Sequence, residues 1–389
     1  MPHALLSASG AKRWMMCPPS ALLESQAKDT ESVYAAEGTL AHSLAELMLR
    51  YNNNEMTKRT FTTRFGKLKQ DPLYSQEMQD HIENYATQVW EIANETRMTN
   101  PDALVLFEQC LDFSEYVPEG FGTGDVVIVA DDTVHIIDLK YGKGVGVVAQ
   151  NNPQTRLYGL GAYLEYSMLY NIDHIRMTII QPRLENTTTE EMSVDELLAW
   201  AESEVRPKAQ LALTGEGEFA VGDHCQFCKV RATCRKRAEH NLELAKFEFA
   251  DPALLSNLEI GGILGQANAL AHWVKDVTDY ALAEALKGTK YVGWKLVEGQ
   301  SRRKYADQTK IADVLSKDGW TREAIYKPEE LIGINDMTRL LGKKKFDELL
   351  GEYVIKPTGA PTLAPESDSR PELGSTSSAK KDFTIEIIE

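Results

Sequence analysis

No stretch of this 389-residue chain approaches the roughly 20 consecutive apolar residues that a membrane span needs. Its opening, MPHALLSASGAKRW, lacks the apolar core of a signal peptide, so the expected location is cytoplasmic with no membrane partner. Basic charge is in short supply: 42 Lys and Arg face 58 Asp and Glu, a formal net charge of −16. That balance excludes broad electrostatic attraction to nucleic acid, because phosphate contacts depend on Lys and Arg. The basic residues are instead clustered, in KVRATCRKR (Lys229 to Arg237), SRRK (Ser301 to Lys304) and GKKK (Gly342 to Lys345). Cysteine is scarce as well, with five residues, which excludes a disulfide framework and points to metal or redox chemistry. No internal repeat is evident. The 43% hydrophobic and 26% charged content is that of an ordinary globular protein, and the length allows two or three compact units.

What is present begins with helical periodicity. Gly38 to Arg50 reads as an amphipathic helix with Thr39 as its N-cap, and Ser75 to Thr96 as a longer one. Leu104 to Phe113, Asp125 to Ala130 and Thr133 to Lys140 read as strands, the last two joined by a tight turn at Asp131 and Asp132. Pro153 follows Asn152, a cap and first-turn pair, and predicts a helix to Tyr170 with Leu157, Leu160, Leu164 and Met168 on one face. His174 to Leu184 reads as a strand, and Ser193 to Leu213 and Gly265 to Gly288 as helices. The order helix, three strands, helix, strand predicts an α/β fold with a mixed central sheet covered by helices.

The hairpin carries the chemistry. With Asp131 and Asp132 at its tip, facing residues have numbers summing to 263, so Asp125 lies opposite Asp138, with Cβ atoms about 4.5–5.5 Å apart. Lys140 projects from the same face as Asp138. Two adjacent carboxylates repel unless a cation intervenes, and their oxygens suit Mg²⁺ or Mn²⁺; the alternative is a salt-bridge cluster at a hairpin end. His42 and Glu46 lie four apart on one helix face, a spacing that lets side chains converge on an ion. Gln154 and Tyr158 share a face near a helix N-terminus, where phosphate is favoured.

Cysteine supplies a second constellation. Cys225, Cys228 and Cys234 lie on one short segment, and Cys17 offers a fourth thiol that would clasp the N-terminus to the segment following the core. Zinc accepts four thiolates equally well, and unliganded thiols are the alternative to either metal. Cys110, at the end of a strand, reads as a buried apolar residue.

His42 in GTLAH, Asp125 in GTGD, the DLK of Asp138 to Lys140, and QTRLY from Gln154 occur in an order that resembles the RecB-like branch of the PD-(D/E)XK nucleases. One early cysteine and three late ones resemble the iron–sulfur staple of a subgroup of that branch, and the whole chain resembles a phage and prophage family. The resemblance implies a restriction-endonuclease-like core in which Asp125, Asp138, the carbonyl of Leu139 and His42 bind Mg²⁺ or Mn²⁺. It further implies that Lys140 orients the attacking water, that Gln154 and Tyr158 contact DNA near the scissile phosphate, and that Cys17, Cys225, Cys228 and Cys234 hold a 4Fe–4S cluster. The acid of the D-x-K motif is Asp where many relatives have Glu. No GxxxxGK[ST] is present, so unwinding falls to a partner.

The expected organisation is a nuclease core over residues 1–240 closed by the four cysteines, a mainly helical accessory region over 241–355, and a disordered tail over 356–389. The expected activity is a metal-dependent DNA nuclease, an exonuclease acting on single strands or duplex ends in phage replication, recombination or processing. A helicase, polymerase or recombinase is the implied partner. A non-catalytic DNA-binding or assembly protein, and a zinc-stabilised scaffold, are the competing readings.

Overall fold

The computed structural model describes residues 4–27, 33–243, 257–295, 337–338, 341–350 and 353–354. Within them a five-stranded mixed sheet runs in the order β1-β2-β3-β4-β5. The strands are β1 (Leu104–Asp112), β2 (Phe121–Val129), β3 (Thr133–Leu139), β4 (His174–Gln181) and β5 (Asn186–Ser193). Only β3 and β4 are parallel; every other neighbour pair is antiparallel. A parallel step needs a crossover, and a helix, α6 (Pro153–Tyr166), provides it between β3 and β4.

Among the described residues five α-helices precede the sheet: α1 (Ala11–Met16), α2 (Ser20–Gln26), α3 (Val33–Asn52), α4 (Lys58–Leu68) and α5 (Gln76–Thr99). Ser75 caps α5 by accepting from Met78 N–H, and Asn152 caps α6 by accepting from Gln154 N–H with Pro153 in the first turn. Thr39, expected as a cap, lies inside α3 and donates to the Ala35 carbonyl, because the helix starts at Val33. After the sheet come α7 (Val194–Trp200), a π-helical turn (Ala201–Val205) and α8 (Arg206–Thr214), together the expected helix from Ser193, which forms a full capping box with Glu196. α6 ends at Tyr166, so Met168 is exposed rather than on the buried face.

Helices cover both faces of the sheet, each over its own core. One core joins Val127, Val129, Val134, Ile136 and Met177 to Leu157, Leu160 and Tyr158 of α6 and to Trp14 of α1. The other joins Val126, Ile128, Ile137, Leu139 and Ile180 to Leu44, Met48 and Leu49 of α3 and to Ile82, Tyr85 and Val89 of α5. This explains why β3 is buried from Val134 to Leu139, including the polar His135 and Asp138. The polar strand β5, NTTTEEMS, was not legible as a strand; it pairs through its backbone at the sheet edge.

The remaining helices are α9 (Arg235–Leu242), α10 (Asn257–Leu286) and α11 (Lys343–Leu350). The chain divides into compact units at 1–287 and 288–389. α10 stays with the first unit, where Asp276 pairs with Arg231 at 2.9 Å and Arg237 at 2.6 Å. The basic cluster at 301–304 and the expected tail at 356–389 lie outside the described residues. Among the described residues no helix is long and apolar enough to cross a membrane.

Candidate active site

The β2–β3 hairpin has the expected register: Val126 faces Ile137 and Val129 faces Val134, and Ala130 N–H donates to the Thr133 carbonyl at 3.0 Å to close the turn. The pairing ends at Val126–Ile137, and Asp125 and Asp138 lie one residue beyond it, at the far end of the hairpin from its tip. Asp138 is 2% exposed, and its carboxylate receives two neighbours. Lys140 Nζ lies 2.7 Å from its Oδ2, and Gln154 Nε2 donates to its Oδ1 at 3.2 Å. The Lys140 ammonium satisfies Oδ2, so both oxygens of this buried carboxylate are engaged. Lys140 Nζ also donates to Gln154 Oε1 at 2.9 Å, and Gln154 Nε2 donates to the Tyr158 hydroxyl at 3.2 Å. Gln154 thus joins the D-x-K segment to the first turns of α6. Tyr158 is packed so tightly there that a Cβ on Gly122 would lie 2.7 Å from its ring.

The second acid is held by a different element. His42 of α3 and Asp125 pair through Nδ1 and Oδ1 at 3.0 Å, and the Leu139 N–H donates to Asp125 Oδ2 at 2.6 Å. Glu46, four residues along from His42, takes no part: it binds Arg50 at 2.7 Å, which also reaches Glu55 and the Phe107 carbonyl. The side chain that joins His42 and Asp125 is instead Glu108, and one ligand atom from each of the three lies within 4.8 Å of the others. Glu108 sits between the flanking pairs Phe107–Val126 and Gln109–Gly124, opposite Asp125, with φ at 50°, a left-handed backbone that a non-glycine residue adopts under strain. Sequence reasoning missed it. Its one signal is a lone acid inside the apolar strand LVLFEQCLD, and the β1–β2 register that makes it meaningful depends on a connection too long to fix from sequence.

The electrostatics follow from crowding buried acids. Burial raises Glu108 to about 7, with Asp125 pushing the same way. Burial also raises Asp138, aided by Asp125 and opposed by Lys140. Asp125 is held below the usual range: burial opposes this, but the His42 imidazolium, the Leu139 N–H and Lys140 outweigh it. His42 is raised to about 9, since attraction to Asp125 and Asp138 exceeds the burial penalty. Burial lifts the Tyr158 phenol far above its ordinary value. Crowded buried carboxylates favour added positive charge, which a divalent cation supplies.

The four cysteines of the second constellation line one small cavity with Arg13 and Arg237. Cys17 comes from the end of α1, and Cys225, Cys228 and Cys234 from the segment ahead of α9. Glu24 of α2 fastens the two segments, accepting from Arg13 Nε at 3.0 Å and from the Lys229 N–H at 2.7 Å. Burial raises the Cys17 thiol and raises Cys228 to about 11, and like charge on Cys225 and Cys234 acts in the same direction on both. No three of these sulfurs lie within 4.8 Å of one another. Cys110, expected to be buried, is exposed on the edge strand β1.

The model of a family described as "Protein of unknown function (DUF2800)" matches residues 3–371, and the chain belongs to that family. Among solved structures the chain is similar to one titled "Crystal structure of SSO0001", at 11% identity over 58% of this chain and 95% of that one, with a TM-score of 0.23. A likeness of that size carries no weight for the fold.

Proposed function

We propose that this member of the DUF2800 family is a divalent-metal-dependent deoxyribonuclease with a restriction-endonuclease-like core of the RecB-like kind, acting on DNA single strands or ends in phage replication, recombination or processing. One observation supports this above the rest. At one end of the sheet His42 of α3 meets Asp125, and Asp138 and Lys140 meet Gln154 and Tyr158 of α6, through contacts of 2.7 to 3.2 Å, and the Leu139 N–H on Asp125 at 2.6 Å joins the two sets. His42 and Asp125, 83 positions apart in the chain, share charge in this buried site, and each residue of the set has the type and order that the resemblance assigns to it. The element order, an antiparallel three-strand meander followed by a helix and a parallel strand, also suits such a core.

The clustered ligand atoms of His42, Asp125 and Glu108 fit Mg²⁺ or Mn²⁺. Asp125, Asp138, the Leu139 carbonyl and His42 would hold the ion, with Glu108 as a further ligand that the resemblance does not supply. A bound ion would lower the pKa of a coordinated water and offset charge on a phosphoryl oxygen. Lys140, already an ion-pair partner of Asp138, is positioned to orient that water and to balance charge gained in the transition state. Gln154 fixes the Lys140 amine and the Asp138 carboxylate relative to each other, and Tyr158 anchors Gln154 from the next turn of α6.

Cys17, Cys225, Cys228 and Cys234 would hold a 4Fe–4S cluster with a structural role. A tetrahedral zinc at about 2.3 Å from each sulfur needs sulfurs about 3.8 Å apart. No three of the four sulfurs lie within 4.8 Å of one another, and zinc stays the alternative to the cluster. The nuclease reading is tested with end-labelled single- and double-stranded DNA, Mg²⁺ or Mn²⁺, and anaerobically prepared protein. The wild type degrades DNA and Asp138→Ala does not. Binding without cleavage in every metal would instead identify a non-catalytic DNA-binding or assembly protein.

A further inference from the structure

Resting on that nuclease reading, we infer that α4 and the groove between it and α3 form a track for the phosphate backbone of the nucleic acid, leading to the carboxylate site. The stretch from Met56 to Gln70 holds five of the 42 basic residues of a chain with net charge −16, and no acid. Lys58, Arg59, Arg64 and Lys67 are exposed, and among the described residues no acid pairs with any of them. Lys69 differs, lying 4.8 Å from the Phe65 ring centre and 5.4 Å from that of Tyr74. A surface that packs four unneutralised cations on one short helix, while acids predominate elsewhere, repels itself unless an anion covers it.

The helix is also anchored and aimed. Phe61, Phe65 and Leu68 pack against the core beneath α3 and α5, Phe61 stacks on Tyr51 of α3 at 4.3 Å, and Thr57 caps the first turn. With its apolar face spent on that anchorage, the basic residues are left to solvent. Arg64 and Lys67 form one wall of a groove of about 250 Å³ whose other wall is Ser43, Glu46 and Arg50 of α3. Ser43 adjoins His42 in the chain, and Arg50 donates to the Phe107 carbonyl next to Glu108, so the groove opens beside the candidate metal ligands. The acids facing it, Glu46 and Glu55, are both engaged by Arg50 at 2.7 and 2.8 Å. The chemistry that fits this surface is a run of phosphodiesters, contacted through charge rather than base identity.

The test replaces all four cations, Lys58→Gln/Arg59→Gln/Arg64→Gln/Lys67→Gln, at exposed positions where the thermal melt is expected to stay unchanged. Affinity for a fluorescein-labelled single-stranded oligonucleotide is measured by anisotropy in EDTA over a salt series. Four lost contacts reduce the slope of log K against log salt by about 3, so a fourfold rise in salt weakens the wild type about 60-fold more than the variant. If the wild type binds and cleaves DNA while the variant keeps its salt slope, the α4 track is overturned and the nuclease reading stands. If the wild type neither binds nor cleaves, both fall together.

Discussion

Replacing Lys140 with methionine leaves Asp138 as a stranded charge, and the cost can be estimated before the protein is made. The ammonium lies 2.7 Å from an oxygen of a carboxylate that is 2% exposed. Coulomb attraction at that distance is about 6 kcal/mol for an effective dielectric of 20. The Lys140 side chain is 25% exposed, so solvent screens part of this and its own hydration returns part on removal. Breaking a buried pair from one side costs about 3–5 kcal/mol in general, and the exposure of Lys140 puts Lys140→Met at the lower end, about 3 kcal/mol. Urea denaturation of wild type, Lys140→Met, Asp138→Asn and the double variant measures it. The double variant should recover most of the loss, because the methionine then faces a neutral amide that Gln154 still contacts. The Lys140→Met deficit should also shrink as pH falls and protonation removes the stranded charge. A single variant within about 0.5 kcal/mol of wild type, or a strictly additive double variant, would refute the reasoning, since contacting residues are expected to couple. The same numbers matter for enzymology: loss of cleavage in Lys140→Ala is informative only if that variant remains folded.

His135 is 6% exposed, accepts or donates at 2.7 Å to Thr178, and is held down to about 3 by burial and then by Arg176. Its folded pKa lies below the unfolded value, so the unfolded state takes up the extra proton and stability falls as pH drops below about 6.5. Between about pH 7.5 and pH 5 the wild type should lose about 2 kcal/mol relative to His135→Gln in urea melts, and parallel pH profiles would contradict this. Gly122→Ala puts a methyl 2.7 Å from the Tyr158 ring. It should cost about 1–3 kcal/mol in thermal stability, as overpacking does, and a neutral effect would mean the ring moves freely. Anaerobically purified protein should be brown with bound iron and inorganic sulfide, and Cys228→Ser should bleach it. Colourless protein carrying one zinc per chain would reverse that assignment.

Much of the site was legible because its residues lie on regular elements with fixed periods. The alternation of β-strands and a two-residue turn placed Asp125 against Asp138 and Lys140 beside it, and the Asn152–Pro153 pair started α6 where Gln154 and Tyr158 meet them. Tertiary proximity across long connections was not legible. Glu108 depends on the β1–β2 register, and Glu46 proved to serve Arg50 because a flexible acid on a helix pairs with whichever cation is nearest. β5 was hidden by its polar composition, since an edge strand can pair through backbone alone. Thr39 illustrates the same limit at helix ends: a good capping residue is ignored when the helix has already begun upstream. The basic stretch of α4 was equally open to inspection, yet the groove it lines with Ser43, Glu46 and Arg50 is visible only in the fold.

The most direct measurement is the position of Mn²⁺ in crystals of the wild-type protein, located by anomalous diffraction. The expected result is a manganese peak bounded by the carboxylates of Asp125 and Asp138 and the Leu139 carbonyl, with His42 or Glu108 completing its ligands. Manganese bound elsewhere, or no bound manganese, would contradict a phosphodiester-cleaving centre at this end of the sheet.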